Sequence, residues 1–329
     1  MLDTSRVTMD VTFSASTVDI SSRGRWVKKP ALKLNGETII VSGNWIKIAS
    51  LYDEDWIEAD LQDPKLCARF LKGNSAVLKA DILRFSQMVP DTTPRFEYPM
   101  ETRSIAVANV GNFKQWWESL PQESRKNVRR SAKRGVTIQV KSFDEEVISG
   151  IAGVQNETPI RQGRKYPHFG KSLDEVRRDH GAFLDRSDFI CAYFENELIG
   201  FLKLVYRGKI ASLLQLNSKV AHYDKRPSNA LLAKAVELCE ARGITHMTYG
   251  LFNYASKGYS PLREFKVRNG FSEMLLPNYY VPLSAWGKVC VDRKLYRGIR
   301  EFLPKRIVST AFNLRTMWYS YRTTKAGVA

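Results

Sequence analysis

Asp188-FICAYFENELIGFLKLV-Tyr206 is the stretch that decides the fold. Two runs rich in aromatic and branched residues, Phe189–Phe194 and Leu198–Tyr206, flank the polar Glu195-Asn196-Glu197. Each run has strand length, and the polar residues between them predict a tight hairpin. Downstream, Ala211–Val220 reads as a third strand, followed by a polar loop. Ser228 is placed to cap a helix through Arg242, with Leu232, Val236 and Cys239 on one face and Gly243 ending it. Thr245–Phe252 reads as a strand, Ser260-Pro261 starts a helix that Asn269-Gly270 stops, and Phe271–Pro282 is extended. Upstream, Asp144–Asn156 is helical and Glu157–Lys171 is a polar loop. Ser172-Leu-Asp-Glu175 has capping-box spacing and opens a helix to about His180.

The first half is less regular. Residues 1–35 form a Ser- and Thr-rich lead with weak strand character. Thr38–Val41 and Trp45–Ala49 read as strands around Ser42-Gly43-Asn44, and Pro64 opens a short helix through Leu71. Ala76–Phe85 reads as a strand and Val89–Pro99 as a loop. A helical hairpin follows, Phe113–Leu120 and Gln122–Arg134, ended by Gly135 and leading into the strand Val136–Val140. The predicted divisions are a lead (1–35), a first domain (36–135), a second (136–285) and a basic aromatic tail (286–329).

At 329 residues, 43% apolar and 26% charged, the chain has the composition of a globular protein with room for two cores. It lacks the ~20-residue apolar run of a membrane span. Its first thirty residues lack the apolar middle of a signal peptide, so a cytoplasmic location is expected. Cys67, Cys191, Cys239 and Cys290 are too scattered for a zinc site or a disulfide framework, and the apolar surroundings of Cys191 and Cys239 predict buried thiols. No metal is expected. The net charge of +17 points to an anionic partner. It concentrates in Arg125–Arg134, which holds six basic residues and no acid, and after Trp286.

The hairpin 188–206, the strand after it, the loop Asp224-Lys-Arg-Pro-Ser-Asn229 with its helix and strand, and Phe265-Lys-Val-Arg-Asn-Gly-Phe271 resemble, in that order, the GNAT acyltransferase superfamily. Phe113–Val140 and Pro227–Gly243 are similar to FemAB-like proteins, which join two GNAT-like units in one chain. Asn156-Glu-Thr-Pro-Ile-Arg-Gln-Gly-Arg164 and Phe183-Leu-Asp-Arg186 resemble an uncharacterised bacterial branch of that superfamily. The resemblance spans roughly residues 36–285. It implies an α/β fold with a mixed, mostly antiparallel sheet flanked by helices, two GNAT-like units in tandem, the first of them degenerate.

It also implies acyl-CoA as co-substrate. A helix start exposes unpaired N–H groups and a positive dipole end, which suit a pyrophosphate. The residues there are Ser228, Asn229 and Ala230, with Lys225 and Arg226 adding charge and the pantetheine arm along the strand ending at Val220. The loop departs from the family pattern in having no glycine. The resemblance suggests a tyrosine as acid for the leaving group, Tyr259 ahead of Tyr254. Transfer to an amine also needs a base, and Glu157 is the first choice, with His168 and Asp224 behind it.

The loop 157–168 gathers Arg161, Gln162, Arg164, Lys165, Tyr166 and His168 without a core pattern. Such a loop suits acceptor binding, with arginine holding a carboxylate or phosphate. The acceptor class is an amine or hydroxyl on a small molecule, a sugar or a cell-surface precursor. A tRNA-dependent aminoacyl transferase, favoured by the basic helix 122–134, and a non-catalytic GNAT fold are the alternatives. The tail, where Trp286, Tyr296, Phe302, Phe312, Trp318, Tyr319 and Tyr321 alternate with basic residues, suits either an anionic membrane face or docking on the core.

Overall fold

The computed structural model describes residues 13–22, 25–34, 37–52, 61, 63–161, 164–253 and 260–297. The chain begins with strands β1 (Phe13–Ser22), β2 (Arg25–Leu34), β3 (Glu37–Ser42) and β4 (Ile48–Leu51). Helix α1 (Pro64–Gly73) leads to β5 (Ile82–Ser86) and β6 (Met100–Asn109). Then come α2 (Phe113–Ser119), α3 (Gln122–Lys133), β7 (Thr137–Lys141) and α4 (Glu145–Gln155). Two short strands, β8 (Ile160–Arg161) and β9 (Arg164–Lys165), precede α5 (Leu173–His180). The remainder is β10 (Ser187–Phe194), β11 (Glu197–Arg207), β12 (Ile210–Ser218), α6 (Pro227–Ala241), β13 (His246–Leu251), α7 (Pro261–Arg268), β14 (Ser272–Pro282) and α8 (Ala285–Asp292).

All the long strands join one twelve-stranded sheet in the order β1-β2-β3-β4-β5-β14-β6-β13-β12-β11-β10-β7. Two neighbour pairs are parallel, β4 with β5 and β12 with β13, and each is in register for three residues only. Each parallel pair is linked through a helix, α1 or α6. The architecture is therefore a tandem of two antiparallel meanders, each followed by a helix and a parallel strand. The units trade their next strands. β6, which follows β5, lies against β13, while β14, which follows β13, lies against β5. At the centre β6 and β14 pair with each other from Met100↔Tyr279 to Val107↔Ser272.

Pairing fixes the layers, since side chains alternate between sheet faces. Leu231, Leu232, Val236 and Cys239 of α6 bury against Ala106, Ile190, Leu202 and Leu204 on one face. On the other, Val147, Ile151 and Val154 of α4 pack on Phe189, Cys191 and Phe201. Cys290 and Val291 of α8 pack on Ile82 and Tyr280. All four cysteines are buried and free. No described helix is long and apolar enough to cross a membrane.

Three expectations need correction. The extended stretch expected over Ala76–Phe85 is turn until Ile82, because Val77 and Leu78 bond back to the α1 cap at Asn74. The strand β6 carries no assignment from sequence, yet it lies at the centre of the sheet. Ser228 is not the cap of α6: Arg226 occupies that position and Pro227 is the first helical residue.

Candidate functional site

A cavity of about 730 Å³ opens where β12 and β13 part, within the size range of small-molecule and cofactor sites. The two strands are in register only from Ile210 to Ser212. Beyond that β12 continues to Ser218, and β13 is deflected by a bulge between Thr248 and Leu251, where Gly250 takes φ 57°. Lys266, fully buried on α7, holds the deflected segment by donating to the carbonyls of Tyr249 (2.6 Å) and Leu251 (2.7 Å). The walls are Leu216, Asn217 and Ser218 on one side and Tyr249, Leu262 and Phe265 on the other.

The start of α6 closes one end. Arg226 sits in the left-handed region at φ 58° and ψ 40°, a conformation that glycine adopts without a Cβ penalty. Among the described residues no side chain caps this helix, and of its first N–H groups Asn229 N–H is taken by Arg226 O at 3.2 Å. Ser228 Oγ lies 2.9 Å from Ser218 Oγ, tying α6 to β12. The buried Asn229 donates to Asn269 Oδ1 at 2.9 Å. The equivalent helix of the first unit differs: Asp63 caps α1, accepting from Leu66 N at 2.8 Å. An anion is thus built into the first helix start, while the second faces a cavity lined by Arg161, Lys165 and Arg226 and, among the described residues, by no acid.

Residues 157–161 and 164–171 form a strap held to β12 and its end through Glu157, Arg161 and Tyr166. Glu157 accepts from the backbone N–H groups of Val220 (2.6 Å) and Ala221 (2.9 Å) and pairs with Arg161 at 3.5 Å. With both oxygens engaged, Glu157 holds the β12–α6 connection, which is not the geometry of a free general base. Arg161 donates to Ser218 O (3.1 Å) and Val154 O (2.7 Å), and its guanidinium lies 4.4 Å from the Tyr166 ring centroid. It therefore forms a wall of the cavity instead of reaching out to clamp an acceptor. Tyr166 donates to Asn217 Oδ1 at 3.0 Å, and burial pushes its phenol up to about 12.

Of the expected residues, Arg161, Lys165, Tyr166, Arg226, Ser228 and Asn229 meet at the cavity. Val220 lies beyond β12, which ends at Ser218 and not at Val220, and it is exposed with its N–H taken by Glu157. Lys225 turns away, over the Phe194 ring at 4.5 Å, and Ala230 is buried. His168 stands behind Tyr166, 3.4 Å from Lys171 Nζ, with burial lowering its pKa. Asp224 pairs with Arg134 at 3.0 Å. Gln162, the side chain of Arg164, Tyr254 and Tyr259 lie outside the described residues. Sequence reasoning missed Asn217, Tyr223 and Tyr249. The alternation of β12 marks Asn217 as a polar strand residue, but nothing local announces the divergence that exposes it.

Beneath the strap lies a buried polar cluster. His180 Nε2 is 3.0 Å from Gln155 Nε2, and Lys203 Nζ donates to the carbonyls of His180 (2.6 Å) and Ala182. Burial, aided by the Lys203 ammonium, holds His180 down at about 3 instead of 6.5. Between those values the unfolded chain binds a proton that the folded chain refuses, so stability falls as pH drops through that window. The slope is up to about 1.4 kcal/mol per pH unit. Urea unfolding at pH 6.5 and near pH 5 should therefore show a loss of about 2 kcal/mol that His180→Phe largely removes. An unchanged loss in the variant would assign it to other groups.

No protein-family model matches the sequence, and no curated protein matches it. Among solved structures the fold is similar to FemX, with a TM-score of 0.54 at 11% identity over 80% of this chain and 88% of that one. It is also similar to L-PGS from Bacillus licheniformis, with a TM-score of 0.50 at 15% identity over 79% of this chain and 85% of that one. At these identities the likeness is one of fold. The mixed, mostly antiparallel sheet flanked by helices, built of two repeated units in one chain, is the fold that the resemblance led us to expect.

Proposed function

We propose that this protein is an acyl-group transferase that binds a phosphate-bearing acyl carrier, acyl-CoA, between β12 and β13. The acyl group passes to an amine or hydroxyl acceptor, such as a sugar or a cell-surface precursor. The observation that carries this reading is the contrast between the two helix starts: α1 is capped by Asp63, whereas α6 has no side-chain cap and opens on Arg226 beside a cavity that, among the described residues, has no acid. A helix start of that kind attracts phosphate oxygens. The edge of β12 beyond Ser212, where β13 has left it, offers peptide groups to an extended chain bearing amides. Tyr259 keeps the role of acid for the leaving thiolate that the resemblance gives it.

A second reading has an aminoacyl-tRNA as donor. It is favoured by the likeness to FemX and by Lys126, Arg129 and Lys133, exposed on α3. Arg134 at the end of that helix touches Asp224 in the loop before α6, so a polyanion on α3 would lead toward the cavity.

Thermal unfolding with acetyl-CoA, longer acyl-CoAs and free CoA tests the donor. At ~100 times its Kd a ligand adds about 2.7 kcal/mol. Arg226→Gly is the decisive variant, because glycine relieves the left-handed backbone while removing the guanidinium. It should leave the unliganded midpoint unchanged or raised, and weaken CoA binding about tenfold or more, the range of a lost charged hydrogen bond. Undiminished binding overturns this site. No shift with any CoA compound transfers the reading to aminoacyl-tRNA.

A further inference from the structure

The sheet end opposite the strap carries an apolar surface that the described residues leave uncovered. In the turn between β3 and β4, Trp45 is 61% exposed, and on α8 Trp286 and Val289 are 37% and 46% exposed. The two indoles lie 5.4 Å apart, and Trp286 Nε1 donates to Trp45 O at 3.4 Å. The inner face of α8 is already satisfied, with Cys290 and Val291 buried on Ile82 and Tyr280. Trp286 and Val289, three residues apart, make a second apolar stripe on the outside. Arg293 and Lys294 continue past it, exposed and with no acidic partner among the described residues.

We infer that this surface docks the protein on a bilayer containing anionic phospholipid. Tryptophan is the side chain most at home at the headgroup level, where its ring is buried and its N–H stays polar. Cationic residues beside it gain from a negative leaflet. Charge complementarity selects the lipid over the other available occupants. Residues 298–329 carry six Lys or Arg (Arg300, Lys305, Arg306, Arg315, Arg322, Lys325) against Glu301 alone, so laid on this surface they set like charge on like. A second copy would do the same. On a bilayer containing anionic lipid the charge of those residues, like that of Arg293 and Lys294, is attractive. This attachment is independent of which donor the cavity accepts.

The test is co-sedimentation of the full chain with phosphatidylcholine vesicles, with and without phosphatidylserine. The wild type should partition onto the anionic vesicles and at least tenfold less onto neutral ones. W45S/W286S should lose at least tenfold of the anionic partitioning with its thermal midpoint unchanged. Should the double variant be unstable, Trp45→Ser alone serves, since the Trp45 atom that accepts from Trp286 is a backbone carbonyl. A wild type that ignores anionic vesicles overturns the inference. So does a variant that partitions as well as the wild type, which would assign attachment to the charge of residues 298–329. Vesicle-free self-association removed by W45S/W286S would overturn it in favour of a second copy.

Discussion

Arg161→Ala should destabilise the protein by about 3–5 kcal/mol in urea unfolding and remove carrier binding with it. The size follows from what the guanidinium does. It joins the end of α4 at Val154 O to the end of β12 at Ser218 O, faces Glu157, and covers the Tyr166 ring. Its side chain is only 11% exposed, so truncation leaves two carbonyls without a donor where water is scarce. Each buried group stranded in this way costs about 1–3 kcal/mol. The Tyr166 ring then loses its cation, worth about 0.5–2 kcal/mol. Arg161→Lys keeps a charge but not the planar fork, and should recover less than half of the loss. A change below about 1 kcal/mol in Arg161→Ala would show that the strap is held by other contacts.

Gly287→Ala is the second large effect, and it comes from the opposite side of the molecule. A Cβ at this position would lie 1.8 Å from the carbonyl oxygen of Asp81 and 2.7 Å from its carbon. Asp81 cannot yield. Its N–H donates to Lys47 O at 2.7 Å, its carbonyl accepts from Leu283 at 2.8 Å, and its carboxylate accepts from Lys47 N and Ser284 Oγ at 2.9 Å each. The helix must lift instead, dragging Cys290 and Val291 from their packing. Overfilling a packed contact costs typically 1–3 kcal/mol, and a backbone obstacle puts this case at the top. The alanine helix propensity returns about 1 kcal/mol. The net expectation is a loss of about 2 kcal/mol, read as a lower urea midpoint with unchanged slope. A variant as stable as the wild type would mean that α8 has room to shift.

The second half was legible in the sequence because its signals are local. The hairpin turns through Glu195 and Asn196, both at positive φ (49° and 64°), between the paired Phe194 and Glu197. Two consecutive left-handed residues are what a type I′ two-residue hairpin requires. The capping box at Ser172 and Glu175 is made in full, and Ser260 caps α7 through Arg263 N at 3.1 Å. The first half was harder. β1 and β2 pair over ten residues with few apolar side chains in β1, so periodicity is weak there. β6 has the apolar run Ile105–Ala108, but its pairing partners are far away in the chain. The site divides in the same manner. Arg226, Ser228 and Asn229 were readable from the strand–loop–helix order. The cavity wall at Tyr249 arises from a bulge held by a lysine on another helix, and the jobs of Glu157 and Arg161 are set by carbonyls and N–H groups that only folding brings near.

The trade of β6 and β14 bears on how the chain is made. When Asn109 leaves the ribosome, neither strand that will flank β6 has been synthesised: one begins at His246, the other at Ser272. The first meander can form early, but β5 and β6 must wait with unpaired edges until the final strand arrives. Two separately expressed halves would each carry the other's missing strand. Co-expressed, they should find one another and assemble as complementary fragments, while alone each would present a bare central edge and aggregate.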